Sequence, residues 1–119
     1  MYSLKKIGFS LYNALQGLKE TYGREHSFRI HVLILALLVA TMLLLGIGGL
    51  EAALLILVAA SVLVLELANS VFERLIDIVS PRVGAQVKDA KDIMAAAVLV
   101  ASIASFAVGA IIIIPHLKF

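Results

Sequence analysis

The sequence predicts an all-α membrane protein, with an N-terminal amphipathic surface helix followed by three transmembrane helices. Three observations carry that expectation: a composition 62% hydrophobic and only 15% charged over 119 residues, three long stretches without a charge, and basic residues crowded onto one side of them. A soluble globule of this size needs more polar surface than these residues supply. Lipid is therefore the solvent for most of the chain. No Pro/Ser-rich linker, low-complexity tract or internal repeat divides it, so residues 1–119 read as one domain. The absence of cysteine excludes a disulfide framework, a thiol nucleophile and a zinc-cysteine site. A net charge of +2 is too small to point to nucleic acid; basic residues beside apolar spans set topology and meet anionic headgroups instead.

Residues 3–22 place Leu4, Ile7, Leu11, Leu15, Leu18 and Tyr22 at intervals of three or four, with Lys5, Lys6, Asn13, Gln16 and Glu20 mostly elsewhere around the turn. This is the pattern of a helix lying in the interface. Because Lys5 and Lys6 precede this amphipathic stretch, and the first long apolar run begins only near residue 30, the N-terminus is not expected to be a cleaved signal. Val32 to Leu50 carries no charge. With the turn at Phe28 it supplies the roughly twenty residues that cross about 30 Å of hydrocarbon. Gly46, Gly48 and Gly49 then predict a short turn, and Glu51 is expected to open a second helix, apolar from Ala52 to Leu65.

The lower half of that helix differs. Glu66, Asn69, Glu73 and Asp77 fall within one face about 80° wide, a polar stripe descending into the interface. Ser80 and Pro81 are expected to end the helix, since proline lacks an N–H and biases the residue before it away from helix. A short basic loop should follow, with Lys91 and Asp92 at the start of the third helix. Ile93 to Pro115 is again free of charge and forms the third span.

Of the 10 Lys and Arg residues, all but Lys118 flank one side of these spans, which places the N-terminus and the segment after the second span in the cytoplasm. Of the eight carboxylates, only Glu51 and Glu66 stand away from that cytoplasmic side. Chemistry there has access to cytoplasmic nucleotide.

An ionised carboxylate inside a span costs about 2.5–3.5 kcal/mol on insertion scales, so Glu66 should face protein, water or a polar headgroup. It could serve catalysis, proton relay or subunit packing. Glu73, two turns nearer the cytoplasm, and Glu25, just before the first span, suit Mg²⁺, which takes one or two protein carboxylates together with phosphate oxygens and water. Lys91 and Asp92 could meet phosphates, an ammonium by charge and a helix start by its free N–H groups. The chain has no GxxxxGK[ST] loop and no kinase-type glycine loop, so a nucleotide site would have to be built from side chains at the membrane surface. His26 and His31 turn well apart on a helix and do not make a zinc site.

The run Glu66-Leu-Ala-Asn-Ser-Val-Phe-Glu-Arg-Leu-Ile-Asp77 and the later Ala90-Lys-Asp-Ile-Met-Ala-Ala-Ala-Val98 closely resemble the bacterial small integral-membrane diacylglycerol kinase and undecaprenol kinase family. Gly17-Leu18 and Arg24-Glu-His-Ser-Phe-Arg-Ile-His31 extend the resemblance over nearly the whole chain, and Phe28-Arg-Ile-His31 looks more like the undecaprenol kinase branch. The resemblance implies a multi-pass homotrimer in the bacterial inner membrane, with composite sites between subunits at the cytoplasmic face. It further implies Glu66 as catalytic base, Glu25 and Glu73 as carboxylates for Mg²⁺ and nucleotide, Lys91 and Asp92 as nucleotide contacts, and Asn69 and Asp77 as supporting residues. Lys6 and Asn13 fall at nucleotide-contacting positions. Many relatives carry a histidine in the segment matching residues 80–88 and a tryptophan at the lipid site; this chain has neither.

The expected activity is ATP-dependent phosphorylation of a membrane lipid alcohol, undecaprenol first and diacylglycerol as the alternative. A proton-coupled transporter using Glu66 and a noncatalytic membrane assembly are the rivals. A relay should continue across the bilayer, whereas these acids and Lys91 converge at one face.

Overall fold

A computed structural model describes residues 3–79 and 84–117. Within them the chain is helical: α1 (Leu4–Arg24), α2 (His26–Leu45), α3 (Gly49–Val79) and α4 (Ala85–Ile113), closed by a 3₁₀ turn at Ile114–His116. α2, α3 and the α4 segment are each long and apolar enough to cross a membrane. α3 packs most extensively on α4 and next on α2, while α1 touches mainly α2.

Helix α1 starts at Ser3, whose Oγ accepts from the Lys6 N–H at 3.3 Å, a serine N-cap satisfying one free donor of the first turn. It ends at Glu25, an extended residue that also precedes α2. Two side chains hold this bend. Arg29 Nη1 donates to the carbonyl oxygens of Tyr22 and Gly23, both at 3.2 Å, covering acceptors that a helix end leaves unpaired. Thr21, the one buried residue of α1, bonds back to the Gly17 carbonyl. Arg74 of α3 lies 3.3 Å from Glu20 and so ties α1 to α3.

The α2–α3 turn falls on the glycines that predict it, so the charge-free run to Leu50 overshoots the end of α2 at Leu45. Gly46 adopts the left-handed region at φ 69°, and the Ile47 N–H donates to the Met42 carbonyl at 2.9 Å. This is a Schellman-type stop, in which the residue after the glycine packs on the last helical turn. Met42 and Ile47 join Leu55 and Ile112 in the tightest cluster of the fold. α3 begins at Gly49 rather than Glu51, which leaves Glu51 in its first turn, where a carboxylate favours the helix dipole. Glu51 Oε1 lies 3.1 Å from His116 Nε2 and joins the two chain segments at this end.

At the other end the basic loop is shorter than expected. α3 continues to Val79 and α4 already runs from Ala85, so Lys88 is helical rather than looped, and Lys91 and Asp92 lie in the second turn of α4 rather than at its start. The i,i+4 pair Lys88–Asp92, at 2.8 Å, suits that helical register. The stop expected at Ser80-Pro81 lies outside the described residues.

Few side chains are fully enclosed; Leu55 is the one large one among the described residues, while Leu43, Leu44, Leu50, Phe106 and Ile111 are more than two-thirds exposed. Such a surface belongs in lipid or against another chain.

Candidate functional site

Helix α3 carries the polar stripe. Its buried residues at four-residue steps are Val62, Glu66 and Ser70, so the packed face of the helix turns from apolar to polar at Glu66. Glu66 is only 8% exposed. Its carboxylate is within electrostatic reach of His31, Glu25 and Glu73, which gathers an acid from the α1–α2 bend, two acids of α3 and a histidine of α2.

His31 is the group nearest to Glu66. Its Nδ1 lies 3.2 Å from Glu66 Oε1 and hydrogen-bonds the Ser27 carbonyl oxygen one turn back at 3.0 Å. The sequence weighed His31 only as a zinc ligand and missed this partnership. A helical wheel of α3 shows that Glu66 needs a partner, but not which residue of α2 faces it.

Two buried acceptors nearby lack any hydrogen-bond partner: Glu25 Oε2 and Asn69 Oδ1. Unsatisfied buried acceptors are costly and ask for a donor or a cation. The unpaired Glu25 oxygen would suit a Mg²⁺ whose remaining ligands are a second carboxylate, phosphate oxygens and water. Among the described residues no three His, Asp or Glu side chains gather as a complete metal cage, and a Mg²⁺ shared with nucleotide does not need one.

Lys91 and Asp92 are arranged differently from the expectation. With α4 starting at Ala85 they lie in its second turn, beyond the free N–H groups of the first, so the helix start cannot assist them in holding an anion. Lys91 Nζ pairs with Asp77 Oδ1 at 2.9 Å across α3 and α4, and Asp92 pairs with Lys88. The Lys91–Asp77 bond thus extends the stripe from α3 onto α4. Lys6 and Asn13 are exposed on α1. Among the described residues their side chains make no ion pair or hydrogen bond with this cluster, and Lys6 opens instead onto a shallow surface groove with Ser3, Lys5, Phe9 and Ser10.

Above Glu66, toward the Gly46 end, an apolar groove of about 540 Å³ runs between α2, α3 and α4, lined by residues including Leu35, Leu55, Val62 and Phe106. His31 also lines it and lies 3.2 Å from Glu66, so it borders both the groove and the carboxylate.

Comparison with known proteins adds two findings. The family model for prokaryotic diacylglycerol kinase matches residues 12–113. A protein of Synechocystis sp. named diacylglycerol kinase is 32% identical over 105 residues, which cover 87% of this chain and 60% of that relative.

Proposed function

The chain belongs to the prokaryotic diacylglycerol kinase family, and from that premise we propose that it transfers the γ-phosphoryl group of ATP to the hydroxyl of a membrane lipid alcohol. The observation that carries this reading is a buried Glu66 on a membrane-spanning helix, 3.2 Å from His31 and within electrostatic reach of Glu25 and Glu73. Phosphoryl transfer asks the protein for an aligned hydroxyl and compensated phosphate charge rather than covalent chemistry. Glu66 accepts the proton of the attacking hydroxyl, which requires a carboxylate within hydrogen-bond reach of it. The groove that ends at His31 holds the apolar chain of the alcohol and brings its polar end to Glu66. Glu25 and Glu73 hold Mg²⁺, which when bound neutralises phosphate charge. Lys91 exchanges Asp77 for a phosphate oxygen, while Asp92, Asn69 and Asp77 support the nucleotide side.

Undecaprenol is the preferred acceptor, on the likeness of Phe28-Arg-Ile-His31 to undecaprenol kinases; diacylglycerol is the second, favoured by the name of the Synechocystis relative. The family match gives no support to a transporter. The protein is placed in the bacterial inner membrane with α1 on the cytoplasmic surface, its apolar face toward lipid, and as a homotrimer. Radiolabelled ATP offered to purified protein with undecaprenol and diacylglycerol in parallel mixed micelles tests the proposal. Label is expected in undecaprenyl phosphate; label in phosphatidic acid alone would reverse the order of acceptors, and label in neither lipid would end the kinase reading.

A further inference from the structure

We propose that His31 is a positioning residue for Glu66: its ring, pinned by the Nδ1–H bond to the Ser27 carbonyl, holds a fixed edge 3.2 Å from Oε1 and leaves Oε2 to receive the lipid hydroxyl. The inference rests on the kinase reading for its last clause only. Nδ1 is 3.0 Å from the Ser27 carbonyl oxygen in a hydrogen bond, with Glu66 Oε1 3.2 Å from the same nitrogen as an ion-pair contact. A backbone carbonyl can only accept, so the nitrogen bonded to it must carry its hydrogen. The tautomer of the ring follows: Nδ1 is protonated whether His31 is neutral or charged.

The ring is also restrained. Ser27 sits one helical turn before His31 on α2, so their bond fixes the imidazole against its own helix and makes the partner on α3 the adjustable one. A histidine oriented by a backbone carbonyl commonly sets the direction of the group it meets. Glu66 has three rotatable bonds and, without such a neighbour, its carboxylate has no fixed direction. Because His31 lines the groove as well, the carboxylate it holds stands where the polar end of a chain in that groove arrives.

The first test needs no turnover. Protein carrying ¹⁵N-labelled imidazoles in lipid bicelles is compared with His31→Asn to assign the ring, and its Nδ1 and Nε2 shifts are read. A neutral Nδ1–H tautomer or an imidazolium is expected; a neutral Nε2–H tautomer would overturn the proposal whatever the protein's activity. The second test compares two amides. Asparagine sets its NH₂ near the place of Nδ1, and glutamine sets it near Nε2. His31→Gln should lower kcat about 10²-fold with KM for ATP little changed, as misplacement of a reacting group does, while His31→Asn should stay within about fivefold of wild type. Equal kcat values for the two variants, whether both high or both low, would defeat the positioning role. If wild type labels no lipid alcohol at all, the kinase reading fails on its own and the tautomer result still decides how His31 is held.

Discussion

Glu66 combines two properties rarely found in one side chain, burial and an open chemical task. A buried carboxylate is tolerated when something compensates it, and here His31 stands 3.2 Å from it. Glu66→Gln keeps shape and polarity but removes the proton acceptor. It should lower kcat by about 10²-fold or more while leaving helix content and oligomer size unchanged; a fully active variant would remove Glu66 as the base. Glu25→Gln and Glu73→Gln each delete one hard oxygen ligand and its charge. Activity should then need about tenfold more Mg²⁺ and be partly restored by excess, and a Mg²⁺ titration matching wild type would argue against metal at these residues. At this scale the sequence disclosed the acids of α3, because a period of 3.6 fixes which of them share a face. It did not disclose His31 against Glu66 or Lys91 against Asp77, since a pairing between helices depends on their relative rotation and height, and no single-helix pattern contains either.

Turns make the difference between helices that merely exist and helices that meet. Three apolar helices were legible as runs without charge, yet their ends moved: α2 stops at Leu45, α3 starts at Gly49 and α4 starts at Ala85. Hydrophobicity continues through Gly46 to Leu50 and so gives no boundary there, whereas backbone geometry does. Ala85 to Lys88 looked like loop, but polar residues with i,i+4 pairing extend a helix beyond the membrane as readily as they end one. Gly46 at φ 69° has open space where a Cβ would stand, so a side chain there meets only conformational strain. Gly46→Ala should destabilise by about 1 kcal/mol. Gly8, also open but inside α1, should respond oppositely, Gly8→Ala stabilising α1 by about 0.5–1 kcal/mol. Unfolding midpoints in a graded denaturing-detergent series check both signs, and a stabilising Gly46→Ala would mean that this turn does not use the left-handed glycine.

A single copy of the chain is not a compact body. Its radius of gyration is 17.6 Å, against about 13.5 Å for a compact domain of this length, and its exposed apolar faces need lipid or neighbours. Glu25 and Glu73 act electrostatically on Glu66 within one chain, but Lys6 does not join them. Lys6 lies fourteen residues before Glu20, the point where α1 is tied to α3, which is about 21 Å along the helix axis. If Lys6 and Asn13 meet nucleotide, the cluster they serve belongs to a neighbouring copy. That division predicts which inactive proteins can rescue one another. Glu66→Gln lacks the base but offers an intact α1; a Lys6→Ala, Asn13→Ala double variant lacks the arm but retains the acids. In a closed trimer mixed at equal ratio, about one quarter of the sites combine an intact acid cluster with an intact neighbouring arm, so activity should return to about that fraction of wild type. Glu66→Gln mixed with Glu73→Gln should remain inactive at every ratio, because both residues of a site come from the same α3. Differential tags establish that mixed oligomers have formed. Rescue in the second mixture would split the acids between chains, and confirmed mixed trimers that stay inactive in the first would return α1 to its own subunit and leave composite sites without support.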